Sequence, residues 1–257
     1  MEIIDFHTHP FLTPERTFCD YREAVSMTPE YTKHLMENLG VSKICGAVIC
    51  GGRLENTWWE KIKANNDEAL KLKELYGDFY VPGFHVHPDY VRESCEEIER
   101  MHKLGVNLIG ELVPYLDGWR EYKNKNFYEI LDVARQYDMI INVDSMETDK
   151  LEAFVSDNED LTIVAAHPGE RGDFMRHMEV MAKHENYYLD LSGYGLFRHG
   201  MLRYGINLFG PHRFLFGSDY PTCSPAMYIG GVMLDPLITD DEKELIMYGN
   251  AKRLLKL

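Results

Sequence analysis

A carboxylate and two imidazoles stand two residues apart near the start of the chain, in Asp5-Phe6-His7-Thr8-His9. Successive side chains of a strand point to opposite faces, so this spacing predicts Asp5, His7 and His9 on one face. Two imidazoles so placed can bind one metal ion side by side, or can hydrogen-bond locally as ordinary histidines. Other polar residues recur where apolar runs end. They are His85 and His87 in Phe-His-Val-His-Pro, Glu111 in Leu-Ile-Gly-Glu-Leu, Asn142 and Asp144 in Ile-Asn-Val-Asp, His167 in Val-Ala-Ala-His-Pro-Gly, and Asp219 in Phe-Gly-Ser-Asp-Tyr-Pro. Imidazoles mixed with carboxylates are the ligand chemistry of a divalent metal site.

The elements that must position these residues alternate from end to end. Eight short runs read as strands: 3–6, 43–50, 79–86, 106–112, 139–143, 161–166, 187–191 and 213–216. They are nearly continuous apolar runs, which suits a parallel sheet buried on both faces. Helical patterns lie between them. Thr28-Pro29 reads as an N-cap with proline in the first turn, and Gly40 as a helix end. Phe127, Ile130, Leu131 and Ala134 repeat at helical spacing, and Thr239 to Glu242 is a capping box. Eight strands separated by helices in 257 residues predict one (β/α)8 barrel domain, 1–257. In such a barrel the strand C-termini form the mouth where active sites are built.

Taken together, Asp-x-His-x-His, His167-Pro-Gly, Gly217-Ser-Asp-Tyr-Pro and Gly249-Asn-Ala-x-x-Leu-Leu resemble the amidohydrolase superfamily. The nearest resemblance is to its amidohydrolase-related branch, which includes aminocarboxymuconate-semialdehyde decarboxylase. The resemblance implies His7, His9 and Asp219 as metal ligands, with Asp219 also taking a proton from water. It implies His167 beside the metal, polarising or protonating substrate, and Asn250 bracing the strand-8 loop. It departs from the family at strand 5, where Asp144 stands in place of the usual histidine and makes the site more anionic. Glu111 resembles the bridging ligand of two-metal members, and no lysine stands there to be carbamylated. The ligand set therefore comprises His7, His9, Glu111, Asp144 and Asp219, for one or two ions. Zn2+ is expected, with Mn2+ the alternative. Tyr115, Arg171, Tyr194 and Arg198 follow strands 4, 6 and 7 and are expected substrate contacts. His85 and His87 are expected to hydrogen-bond at the mouth. His34, His102, His177 and His184 fall in helical segments and are expected to face solvent. Cys50, at the end of the strand-2 run, has no partner base in the sequence and is not expected to act as a nucleophile.

Lys plus Arg is 27 and Asp plus Glu 42, for a net charge of −15. That balance opposes nucleic-acid or anionic-membrane partners. It also argues against a nuclease of the two-metal type. Five cysteines without a C-x-x-C pair fit a reducing compartment, and no basic leader or membrane-length apolar run is visible. The expected protein is cytoplasmic, acts on a small molecule, and by family resemblance is compatible with a homodimer. The expected function is metal-dependent hydrolysis of a small ester, lactone or amide, with non-oxidative decarboxylation of a small carboxylic acid as the alternative. A non-catalytic barrel is the remaining reading, kept open by the altered strand-5 ligand.

Overall fold

A computed structural model describes residues 1–49, 58–145, 148–196 and 198–257. Cys50 lies outside the described residues. Eight strands form one sheet in chain order, every neighbouring pair parallel. They are β1 (Ile3–Asp5), β2 (Val41–Gly46), β3 (Tyr80–Phe84), β4 (Leu108–Leu112), β5 (Ile140–Asp144), β6 (Thr162–Ala166), β7 (Tyr187–Asp190) and β8 (Phe214–Leu215). The two ends of the sheet meet. Phe6 N–H donates to Phe216 O at 2.9 Å, Asp219 N–H to His7 O at 2.9 Å and His9 N–H to Tyr220 O at 2.7 Å. The sheet thus closes on itself as a (β/α)8 barrel, with helices in the connections.

Residues adjacent in sequence fall into different apolar clusters, as a barrel wall requires. Ile4, Cys45, Leu108, Ile140, Val164 and Leu215 pack together with Phe6 and with Ala251 of the C-terminal helix. Their neighbours Ile3, Ile44, Ile109, Ile141, Ile163 and Phe214 join the larger cluster that seats the outer helices. The helix ends follow the sequence signals. Thr28 Oγ1 accepts Tyr31 N–H ahead of the helix Pro29–Asn38, and Thr239 and Glu242 form a reciprocal capping box. In the helix Lys125–Gln136 the residues Phe127, Ile130, Leu131 and Ala134 are all buried. Asn250 opens the last helix and donates to Pro211 O at 2.9 Å and Phe214 O at 2.8 Å. It therefore braces the chain entering β8 rather than the loop leaving it.

Two of the four helical histidines depart from expectation. His34 and His102 are exposed, but His177 and His184 are buried. The ring of His177 sits between Tyr187 and the chain after β6. Helix location therefore did not decide exposure; the face of the helix did.

Strand β4 carries the feature that turns Glu111 toward the site. Its pairing with β5 shifts between Ile109 and Leu112. Gly110 holds φ +106°, and a Cβ there would lie 2.1 Å from Asn142 O. Only glycine permits that backbone and that approach. Gly110→Ala is expected to destabilise the fold by roughly 1–3 kcal/mol. An unchanged urea-unfolding midpoint would contradict this account of β4.

Candidate metal centre

The ring hydrogen bonds of the two N-terminal histidines fix which nitrogen faces the barrel mouth. His9 Nδ1 lies 3.1 Å from Ala47 O, and a carbonyl only accepts, so Nδ1 carries the proton. His7 Nδ1 lies 2.8 Å from the Asp190 carboxylate and donates in the same way. Both Nε2 atoms are left to point inward, 3.1 Å apart. Glu111 Oε2 is 3.3 Å from His7 Nε2 and 3.5 Å from His9 Nε2. Asp219 Oδ1 is 3.4 Å from His9 Nε2.

Three atoms thus converge, with Asp219 Oδ1 beside one of them, and they have no hydrogen atom between them until a proton or a cation is taken up. Their separations fit a shared cation. Two ligands each ~2.1 Å from one ion lie roughly 3.0 Å apart at a right angle and about 3.4 Å apart at the tetrahedral angle. The residues present therefore fit a divalent metal ion, and His7, His9, Glu111 and Asp219 would hold it. The other Glu111 oxygen, Oε1, is 3.3 Å from His167 Nε2 and has no hydrogen-bond partner although buried. Glu111, Asp144 and His167 form a second group able to hold an ion beside the group His7, His9 and Glu111.

Each strand end makes its own contribution. The carboxyl of Asp190, at the end of β7, also accepts from Ser192 Oγ at 2.5 Å and Ser192 N at 3.0 Å. His167 Nδ1 faces Ser192 O at 3.2 Å, so Nδ1–H donates there and Nε2 faces Glu111. Gly193, at φ +58°, makes room for that ring, since a Cβ there would lie 2.3 Å from His167 Nδ1. His167 (φ 67°) and Asp219 (φ 61°) themselves hold left-handed backbone. Such conformations cost of order 1–3 kcal/mol each and gather at functional sites. Burial disfavours charge throughout the cluster, but the carboxylates prevail: Asp190 and Glu111 raise His7 well above the usual histidine range. In return Glu111, despite its burial, is held well below the usual carboxylate range by His7 and His167.

The remaining expected residues divide between separate places. A cavity of about 570 Å3 at the mouth is lined by Tyr115, Asp144, His167, Tyr194 and Asp219, with Cys223 and Tyr228 among its other walls. Tyr115 Oη is 3.5 Å from Asp144 Oδ2. Arg171 and Arg198 line a different cleft, of about 280 Å3, with Phe174 and Met201. Arg198 is paired with Glu170, which also accepts Tyr194 Oη–H at 3.0 Å. Asp5 is turned away from the cluster: its carboxyl accepts from Ser218 N at 2.9 Å and Ser218 Oγ at 2.5 Å. Strand β1 ends at Asp5, so the two-residue alternation does not carry through to His7. His85 Nε2 donates to Val48 O at 3.1 Å and His87 Nε2 to Asp117 O at 2.9 Å, both rings buried. They tie down the chain after β2 and β4. Asp190 was absent from the expected set, although Tyr-Tyr-Leu-Asp-Leu carries the same polar strand-end signal as the other runs.

The sequence matches the amidohydrolase family over residues 4–257. The chain belongs to that family. No curated protein matches the sequence. Among solved structures, the fold of this amidohydrolase-family chain is similar to an uncharacterised TIM-barrel protein from Bordetella bronchiseptica. That pair has 20% identity and a TM-score of 0.76, over 100% of this chain and 99% of the other. It is also similar to a 2,6-dihydroxybenzoate decarboxylase complexed with 2,6-dihydroxybenzoate, with 16% identity, TM-score 0.77 and coverage of 100% and 99%. A third likeness is a dihydroxybenzoic acid decarboxylase from Polaromonas sp. JS666 with bound manganese and 2-nitroresorcinol, with 16% identity, TM-score 0.74 and coverage of 100% and 97%. No described helix is long and apolar enough to cross a membrane.

Two outcomes are expected of the metal centre. Burial opposes charge on His7, but Asp190 and Glu111 favour its protonated form, so an ion has to compete with a proton there. Affinity for Zn2+ or Mn2+ should therefore climb about tenfold per pH unit between pH 6 and 8; calorimetric titration showing no slope would contradict the arrangement. Asp190→Asn, which weakens the hold on His7, should cost about 10–100-fold in metal affinity. Unaltered affinity in that variant would remove Asp190 from the account.

Proposed function

We propose that the protein is a metal-dependent hydrolase that cleaves a small ester, lactone or amide. Asp219 carries the reading: Oδ1 lies 3.4 Å from His9 Nε2 in the ligand cluster, while the residue also lines the mouth cavity that His167 shares. One carboxylate thus serves both the ion and the reacting groups. His7, His9, Glu111 and Asp219 would hold a divalent ion, which would supply Lewis-acid polarisation of a carbonyl and lower the pKa of water toward about 7. The protein's own groups do the rest. Asp219 accepts the proton of the attacking water and returns it to the leaving group. His167 donates Nδ1–H to the Ser192 carbonyl, and because Glu111 raises its pKa to about 9 against the effect of burial, the ring also carries a proton on Nε2 to donate to the oxygen that gains charge. Tyr115 and Tyr194 form walls of the cavity around the substrate.

Two imidazoles with two carboxylates suit Zn2+, and Mn2+ equally by donor type. The manganese of the similar Polaromonas decarboxylase supports testing both. The likeness to two dihydroxybenzoate decarboxylases supports a second reading, a lyase in which His167 delivers a proton to the carbon that loses CO2. That reading calls for an arginine to hold the reacting acid. Among the described residues the mouth cavity has no Arg or Lys in its lining, and Arg171 and Arg198 line another cleft. The hydrolytic reading is therefore preferred. Residues 1–257 are read as one domain in a cytoplasmic setting, which the free thiols of Cys19, Cys45, Cys95 and Cys223 support.

Asp219→Asn keeps the shape and one ligand oxygen but accepts no proton at neutral pH. It is expected to retain most of its metal and lose at least about 100-fold in turnover. The assay is a screen of esters, lactones, amides and aromatic carboxylates with Zn2+ or Mn2+. Near wild-type turnover with metal fully bound would move the base to His167, and CO2 release without hydrolysis would establish the lyase.

A further inference from the structure

A second cavity, of about 450 Å3, adjoins the first and shares Tyr115 and Asp144 with it. Its walls differ in chemistry. Trp119 is buried, and Tyr122 is anchored by donating to Leu112 O at 2.8 Å and Asp144 O at 3.0 Å, so the aromatic floor is fixed. Two cations stand among its lining residues, Arg120 and Lys150, against none in the mouth cavity among the described residues. Lys150 already holds Glu121 at 3.3 Å. Arg120 is exposed and makes no ion pair among the described residues. Tyr115, which stands between the two spaces, is 59% exposed, and its 3.5 Å approach to Asp144 is too long for a firm hydrogen bond. Among the described residues, Tyr115 and Asp144 are the walls that the two cavities have in common.

We propose that the adjoining cavity is a subsite for the far end of an elongated substrate, with Arg120 holding a terminal carboxylate there. The inference rests on the hydrolytic reading and narrows it: an uncharged ester, lactone or amide reacts in the mouth cavity, and an apolar or aromatic spacer leads along Trp119 and Tyr122 to the acid. A guanidinium suits that role because it meets a carboxylate with two parallel N–H donors. It also offsets the net charge of −15 and the carboxylates of Glu121 and Asp144 in the same lining, which disfavour an anion. Arg120 is then a specificity residue, distant from the reacting atoms.

The test is calorimetric binding to the metal-loaded enzyme, with hydroxamates as carbonyl-end probes. Monohydroxamates of glutaric, adipic and suberic acid are compared with alkyl hydroxamates of equal length. At the best length the acid should bind at least about tenfold more tightly than its alkyl counterpart, and the advantage should shrink in high salt. Arg120→Gln should bring the two within about twofold while leaving the alkyl series unchanged. The inference is overturned if no length favours the acid, or if the advantage survives Arg120→Gln, including the case where only Lys150→Gln abolishes it. If neither series binds the loaded enzyme, the metal-centre reading fails and takes this inference with it; alkyl binding without an acid advantage fails this inference alone.

Discussion

The structure turns on ring nitrogens and carboxylate oxygens brought so close together in a buried place that they must share a proton or a cation. His7 Nε2, His9 Nε2 and Glu111 Oε2 face one another at 3.1–3.5 Å, and Asp219 Oδ1 lies 3.4 Å from His9 Nε2. Unpaired, such a cluster is strongly unfavourable in a low-dielectric interior. A metal ion can partner His7, His9 and Glu111 at once, with Asp219 beside His9. The arrangement is held from behind by groups that cannot change role: Ala47 O can only accept from His9, and the Asp190 carboxylate accepts from His7 while itself bonded to Ser192. The imidazoles are thereby set with their free nitrogens forward before any ion arrives.

The barrel makes this assembly possible because ligands remote in sequence become neighbours at one rim. Glu111 comes from β4, Asp219 follows β8, and both histidines follow β1, which lies beside the β8 end of the sheet through the Phe6–Phe216 and His7–Asp219 backbone bonds. The fold gives up stability locally to do so. His167 and Asp219 sit in left-handed backbone that a β-branched or bulky residue would not adopt, and glycines at 110 and 193 clear space for Asn142 and for the His167 ring. A barrel with a well-packed lower interior, from Ile4 around to Leu215, can carry that strain at its mouth.

Much of this was legible in the sequence because two periodicities do not interfere there. Apolar runs marked all eight strands, and their polar last residues marked the rim, where the structure places Glu111, His167 and Asp219 close to His7 or His9 or to one another. The failures have physical reasons. Asp5 shares spacing with His7 but not its direction, because β1 stops at Asp5 and the chain bends. His177 and His184 lie in or cap a helix whose inner face packs on the barrel, and position in a helix alone says nothing about which face. Arg171 and Arg198 follow the expected strands yet line a neighbouring cleft, because loop direction is set by packing that one sequence does not display. Asp190 is the opposite case: its signal was present in the strand-7 run, but its role behind His7 depends on a contact between residues 183 positions apart.

The central claim is that one divalent ion occupies the point on which His7, His9, Glu111 and Asp219 converge. Anomalous scattering from crystals grown with Zn2+ or Mn2+, recorded on both sides of the metal edge, addresses it directly. The account predicts a strong peak within ordinary bonding distance, ~2.0–2.2 Å, of both Nε2 atoms and of a Glu111 and an Asp219 oxygen. A mouth without such a peak, while the metal binds elsewhere on the chain, would contradict it.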